Sequence, residues 1–217
     1  VTGSWTINSH KVTYSYTGDV PEGAPAVPEE KTYEYGATVP AATVPTMEGY
    51  TFSGWTGEVE TMPDEDVTVT GTWEIRSDLS YTVHYYEDGT TNKVAEDKVV
   101  TNQTFGTEVK EEAIEVEGYT AKDPTSQTIT IAVEDNEITF YYEKAEVEYT
   151  VEHYQQNIDD DDYTLVTADT ETLKGKIGED TAAAAKTYEG FTAQTFEQVK
   201  IEEEGTVVKI YYNRNTY

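Results

Sequence analysis

The chain has 217 residues, no cysteine, and 43 acidic against 14 basic side chains, a formal net charge of −29. The acidity runs through every third of the chain, which excludes nucleic acid and anionic membrane surfaces as partners, because both are held by lysine and arginine. No apolar run reaches the ~18 residues a membrane span needs, and without cysteine there is neither a disulfide framework nor a thiol nucleophile. With 18 Tyr and 5 Phe the composition favours strands and lacks the aromatic poverty of a disordered acidic segment.

Val1-Thr2-Gly3-Ser4-Trp5 matches Val69-Thr70-Gly71-Thr72-Trp73. Residues 1–5 therefore read as the tail strand of a preceding repeat, and the chain as part of a longer one. His10 to Tyr16 alternates as a strand does. Gly18 to Pro28 is a loop by its prolines and glycines, and Lys31 to Tyr35 is a second strand. Ala37 to Thr46 holds Pro40 and Pro45, so at most one helical turn fits. Glu48-Gly49 turns the chain into Tyr50-Thr51-Phe52-Ser53-Gly54-Trp55, and Val67 to Trp73 closes the repeat. A bulge at Gly54 is expected to bring Phe52 and Trp55 to the same side, making Trp55 a core residue.

The second stretch opens with Tyr81 to Tyr86 and turns at Glu87-Asp88-Gly89. Lys98-Val99-Val100 is its second strand, and Thr107 to Ala113 has a helix-compatible composition. Gln127 to Ile131 and Glu137 to Tyr142 are strands. The third opens at Tyr149 and carries an acidic loop, Asn157 to Asp162, followed by a long strand from Tyr163 to Leu173. Glu179 to Lys186, with Ala182 to Ala185, is the best helix in the chain, starting near Asp180 or Thr181. Thr195 to Ile201 and Thr206 to Tyr212 are its last strands.

These stretches repeat. Gly49, Gly118 and Gly190 each sit between a glutamate and an aromatic residue, 69 and then 72 residues apart. Such a period is longer than a solenoid repeat and gives each repeat a small core of its own. The expected architecture is α+β: a tandem array of three small, strand-dominated, β-grasp-like (ubiquitin-like) domains, spanning 6–78, 79–146 and 147–217. One helix would pack on each mixed sheet, ending at the glycine.

Gly49-Tyr50-Thr51-Phe52-Ser53-Gly54-Trp55, with Val67 to Trp73, resembles the Listeria–Bacteroides repeat, the B-repeat of internalin-type surface proteins. Tyr81-Thr82-Val83-His84-Tyr85-Tyr86-Glu87-Asp88-Gly89, Glu117-Gly118-Tyr119 and Phe140-Tyr141-Tyr142 resemble the mucin-binding protein (MucBP) domain. Tyr149 to Tyr154 and Ala184 to Phe191 look like a related module, with a longer acidic loop than the MucBP pattern has. The resemblance implies a Gram-positive, cell-wall-attached, extracellular protein whose repeats form a stalk presenting an adhesin head. The alternative it implies is weak, multivalent binding of host mucin or other glycoproteins by the second and third repeats. These families supply no catalytic residues to carry over, and none is assigned here; the chain is expected to be a monomeric, non-enzymatic modular chain without cofactor.

The residues themselves offer four chemistries. Asp159-Asp160-Asp161-Asp162 has hard oxygen ligands but neither the alternation nor the central glycine of a calcium loop, so it reads as a solvated turn. His10, His84 and His153 stand one per repeat, without the converging ligands of a zinc site. No Gly-x-Ser-x-Gly elbow or phosphate-cradling loop is present. The doublets Tyr85-Tyr86, Tyr141-Tyr142 and Tyr211-Tyr212 place one ring on each sheet face. One ring of each belongs to a core, and the other either pairs across strands or stacks on a sugar.

Overall fold

The computed structural model describes residues 3–216. The chain divides into two compact units. The first comprises Val1–His84, Asp97–Glu111 and Ser126–Ile138, the second Tyr85–Glu96, Glu112–Thr125 and Thr139–Tyr217. The division falls within the second repeat.

The first repeat forms β1 (Ser9–Gly18), β2 (Lys31–Glu34), β3 (Tyr50–Thr56) and β4 (Val67–Ile75), in the order β2-β1-β4-β3. The central pair is parallel, with Val12 opposite Val67 and Gly18 opposite Trp73; both outer pairs are antiparallel. Val67, Val69, Gly71 and Trp73 alternate as the buried positions of β4, the period-2 signature of a half-buried strand. The second repeat supplies β5 (Leu79–Glu87), β6 (Lys98–Gln103), β8 (Tyr119–Ala121) and β10 (Glu137–Lys144), in the order β6-β5-β10-β8. Its β7 (Glu108–Glu112) and β9 (Ser126–Thr130) form a separate pair. The third repeat forms β11 (Glu146–Gln156), β12 (Tyr163–Leu165), β13 (Glu171–Lys176), β14 (Phe191–Ala193) and β15 (Val207–Arg214). There β11 pairs parallel with β15 and carries both β12 and β13 on its other edge.

The expected α+β, β-grasp-like class is overturned: among the described residues there is no α-helix, only the 3-10 turn Thr167–Asp169. Thr107 to Ala113, expected to be helical, contains β7. Glu179 to Lys186 forms no helix and only the isolated bridge at Asp180, and its reason is visible in its hydrogen bonds. The Thr181 N–H donates to Val199 O, Ala182 N–H to the Tyr149 hydroxyl, Ala183 N–H to Gln198 Oε1 and Lys186 N–H to the Tyr212 hydroxyl. Gln198 Nε2 donates back to Ala183 O. Each alanine favours helix by a few tenths of a kcal/mol, but an eight-residue helix is marginal by itself. Distant side chains here satisfy the backbone in place of i→i−4 bonds.

Two strand expectations shift as well. Tyr163 to Leu173 is split into β12 and β13 by the 3-10 turn. Thr195 to Ile201 carries only the isolated bridge between Lys200 and Asp180. The recurring glycines cap no helix: Tyr50 N–H donates to Met47 O, Tyr119 to Val116 O and Phe191 to Tyr188 O. Each glycine is the third residue of such a turn, at φ +77°, +76° and +79°, the position that makes a type II turn require glycine. The expected tail strand at 1–5 falls partly on residues 1–2, outside the described residues; Gly3 to Trp5 lie in no strand, and the Trp5 ring is exposed.

Candidate functional site

Two features stand out: a joint made twice between consecutive repeats, and a cleft on the first repeat. The joint begins at the glycine turn. Gly49 O accepts from Arg76 N–H at 2.9 Å, and Arg76 O accepts from Phe105 N–H at 2.9 Å. The second joint repeats both bonds: Gly118 O accepts from Ala145 N–H at 2.9 Å, and Ala145 O from Ile177 N–H at 3.0 Å. A single linker residue, Arg76 or Ala145, thus ties the end of one repeat to the early strands of the next.

A side chain completes each joint. The Phe105 ring covers Gly49 so closely that a Cβ there would lie 2.1 Å from it, and it meets the edge of Tyr50 at 6.1 Å between centroids. Ile177 takes the corresponding place beside Gly118, where a Cβ would sit 3.8 Å from its Cδ1. The Lys176 ammonium reaches Glu143 at 3.0 Å alongside. Phe105-Gly106 and Ile177-Gly178 are 72 residues apart, and Tyr35-Gly36 stands 70 residues before Phe105-Gly106. Tyr35 N–H likewise donates to Asn8 O, and Gly36, Gly106 and Gly178 donate to Met62, Ile131 and Ile201. These doublets recur at 70 and 72 residues, close to the 69 and 72 of the Glu-Gly-aromatic turns, and that near-common step is the sequence signal by which the joint could have been found.

The cleft measures about 470 Å³. Its floor is Val12, Tyr14, Tyr16 and Trp55, with Tyr33 at one side and Pro25, Pro28, Pro40 and Pro45 as walls. Phe52 and Trp55 are brought together by a register shift in β3, with Gly54 at φ +85° and ring centroids 5.1 Å apart; this is the expected bulge. Trp55 is half-buried. It stacks on Tyr16 at 5.4 Å and 14°, packs against the core of Val12, Val39, Met62, Val67 and Val69, and donates its indole N–H to Thr43 O at 3.0 Å. It is therefore at once the edge of the core and the floor of the cleft. Burial raises the Tyr14 and Tyr16 hydroxyls above the usual tyrosine range, with Glu58 adding to the effect at Tyr14.

The remaining sequence candidates do not assemble into a site. Asp159 to Asp162 is exposed and closed on itself: Asp160 Oδ1 accepts from Asn157 Nδ2 at 2.7 Å and from Asp162 N–H at 3.0 Å. Among the described residues no three His, Asp or Glu side chains converge as metal ligands would. His10 lies 2.9 Å from Asp64 at the surface and His84 3.1 Å from Asp97. His153 is fully buried. The Tyr212 hydroxyl accepts from Lys186 N–H and is 2.8 Å from His153 Nδ1, while Nε2 is 3.1 Å from Glu171 Oε2. Both ring nitrogens of His153 thus have a polar partner. In each tyrosine doublet one ring is buried: Tyr85, Tyr142 and Tyr212. Of their neighbours, Tyr211 stacks on Tyr154 at 5.1 Å, the cross-strand pairing expected of it, and Tyr141 is exposed.

No protein-family model matches the chain, and no curated protein matches it. Among solved structures it is similar to domains 3–4 of the Streptococcal High Identity Repeats in Tandem (SHIRT) of a cell surface protein. The match has 18% identity and a TM-score of 0.33, over 63% of this chain and 98% of that one. It is also similar to the Bacillus anthracis TIE protein at 12% identity and a TM-score of 0.37, over 97% of this chain. The chain spans about half the length of that protein, 51%.

Proposed function

We propose that the chain is a non-enzymatic repeat region of a bacterial cell-surface protein, its three repeats acting as separate domains at 6–78, 79–146 and 147–217. In this reading it serves as a spacer that holds a distal binding head away from the cell wall. The observation that supports it is the twice-made joint. A spacer of flexibly linked domains would lose reach to chain entropy. Here one linker residue, two backbone hydrogen bonds and a docked apolar side chain restrict the angle between neighbours at each joint. The net charge of −29 keeps such an array solvated and discourages its association.

The test is a distance distribution between spin labels at Glu22 and Glu134, exposed positions flanking the first joint. A narrow distribution is expected in the native chain, broadened by Phe105→Ala. A native distribution as broad as that of the variant would remove the ground for a spacer.

A further inference from the structure

The strand registers align the residue that closes each joint. Phe52 pairs with Trp73, Ala121 with Tyr142 and Ala193 with Tyr212. Three residues beyond Trp73, Tyr142 and Tyr212 stand Arg76, Ala145 and Asn215, whose N–H groups donate to Gly49, Gly118 and Gly190 O. Trp5 and Asn8 have the same spacing, inside a stretch, Val1 to Ser9, that shares Val, Thr, Gly, Trp, Ile and Ser with Val69 to Ser77 in the same places. Asn8 O accepts from Tyr35 N–H at 2.8 Å, as Arg76 O does from Phe105 and Ala145 O from Ile177. At Asn8 the second bond of a joint is thus made and the first is not: among the described residues Asn8 N–H has no backbone acceptor. The side chains agree. Phe105 and Ile177 are half-buried, whereas Tyr35 is 58% exposed. Trp5 and Ile7 are 99% and 62% exposed, against 1% for Trp73.

We propose that Tyr35 and Asn8 are the receiving half of a third joint, whose occupant is the Glu-Gly-aromatic turn of one more repeat, ahead of Val1 on the same chain. The inference rests on the reading of the repeats as jointed domains. Tyr35 lies over the incoming glycine as Phe105 lies over Gly49, and Asn8 N–H donates to that glycine's carbonyl. A glycine turn is the partner such a ring fits, because at positive φ and without a Cβ it lets the ring approach the backbone. At Gly49 a Cβ would stand 2.1 Å from Phe105, so a larger residue is shut out. The linker residue selects a repeat of the same chain over a second copy. Asn8 bonds by its oxygen to the first repeat, and the Val1 to Ile7 stretch before it carries the closing-strand residues that the added repeat needs. A second copy offers Gly190, whose carbonyl already accepts from Asn215 N–H at 2.9 Å. Burying Trp5, Ile7 and Tyr35, all apolar and exposed, favours the joint.

The test lengthens the whole chain by one repeat. A copy of residues 6–73 replaces residues 1–5, so that the copied Trp73 stands in the place of Trp5 and Asn8 follows in register. Spin labels go on Glu22→Cys in the copy and Glu65→Cys in the native first repeat, both exposed, in a chain with no other cysteine. A narrow distance distribution is expected, broadened by Tyr35→Ala in the native first repeat and kept by Tyr35→Phe. Exchange of the Asn8 amide hydrogen should slow at least ~10-fold from the native to the lengthened chain, as a newly bonded N–H does. Placing residues 147–212 ahead of Thr6 instead presents the Gly190 turn and gives the same readings should the first copy not fold. The proposal is overturned by a distribution as broad as that of Tyr35→Ala, by unchanged Asn8 exchange, or by equal broadening with Tyr35→Phe. It is also overturned if the Tyr35 ring signals and Asn8 exchange of the native chain change with its concentration, which assigns the surface to a second copy. A narrow distribution between Glu22 and Glu134 of the native chain with a broad one across Asn8 removes only this joint, whereas breadth at both removes the jointed reading with it.

Discussion

The first and third repeats solve one problem differently: how to hold a helix-free segment against a sheet of mixed parallel and antiparallel strands. In the third repeat the segment is pinned by side chains. Tyr149 and Tyr212 accept from Ala182 and Lys186 N–H, and Gln198 brackets Ala183, accepting from its N–H and donating to its carbonyl. Val151 and His153 beneath it are completely buried. In the first repeat the corresponding residues are Val12, Trp73 and Val59, which offer neither a hydroxyl nor a side-chain amide; the neighbouring Glu58 carboxylate accepts from Ala42 N–H at 2.7 Å. Tyr14 and Tyr16, the counterparts of Val151 and His153, are left half-exposed beneath a cleft. Whether the cover seals or stands off is decided by a few hydroxyl and amide groups, through the requirement that backbone N–H and C=O find partners.

The largest expected effect sharpens this contrast within the first repeat. Trp73 is 1% exposed, so Trp73→Ala should cost about 3–5 kcal/mol in a denaturant melt, as large core truncations do. Trp55→Ala should cost clearly less, because half of that ring faces the cleft. Equal losses would mean that the cleft floor is ordinary core and that the two repeats differ only in name.

Next comes the hydroxyl. Tyr212→Phe keeps the ring but leaves Lys186 N–H and His153 Nδ1 without their partner, and should destabilise the third repeat by about 1–3 kcal/mol. The comparison at the equivalent place is Trp73→Phe. The Trp73 indole N–H is buried with no hydrogen-bond partner, so that change removes volume and an unsatisfied donor together, and it should cost less than Trp73→Ala. If Tyr212→Phe is neutral, the pinning hydroxyls do not hold the cover.

How much of this the sequence disclosed follows from the range of the interactions. Alternation located β1, β4, β5, β10, β11 and β15, because burial of every second residue is a local pattern. The turns at Gly49, Gly118 and Gly190 were legible from Glu-Gly-aromatic, although their reading as helix caps was wrong. Ala182 to Ala185 misled because helix propensity is local, whereas Tyr149, Gln198 and Tyr212 act on that segment from 15 to 33 residues away. The Gly54 bulge was anticipated. The cleft was not, since its lining comes from Tyr14 and Tyr16 of β1, Pro25 and Pro28 of the following loop, Pro40 to Pro45 and Trp55, which meet only in the fold.

A smaller and cleaner difference is expected between Gly49 and Gly190. Both are at positive φ, +77° and +79°, so alanine at either should pay the left-handed penalty of about 1–2 kcal/mol. A Cβ at Gly190 meets nothing within 4 Å, whereas at Gly49 it meets Phe105 at 2.1 Å. Gly49→Ala should therefore cost more than Gly190→Ala and should broaden the distance distribution across the first joint. Identical costs together with an unbroadened distribution would show that the ring moves aside freely and that the joint is loose.

The smallest effect separates the repeats by pH. In the third repeat burial first, then the hydrogen bond to Asp169 at 2.7 Å, raises the Tyr188 hydroxyl well above the tyrosine range. Tyr154 is pushed up to about 12, first by its hydrogen bond to Glu152 and then by burial. For the first repeat's Tyr14 and Tyr16 the leading cause is burial, with no carboxylate bond. A hydroxyl whose pKa is higher in the fold than in the unfolded chain stabilises the fold fully below the unfolded value of about 10. That stabilisation is lost as pH rises through the folded value. Phenolate absorbance at rising pH should show a late group ionising only as the third repeat unfolds, near or above pH 12 for Tyr154. Asp169→Asn and Glu152→Gln, by removing the repelling negative charge, should bring ionisation of these two tyrosines earlier while leaving Tyr14 and Tyr16 where they were. If all tyrosines of the native chain titrate together near pH 10, the carboxylate bonds that distinguish the third repeat do not persist in solution.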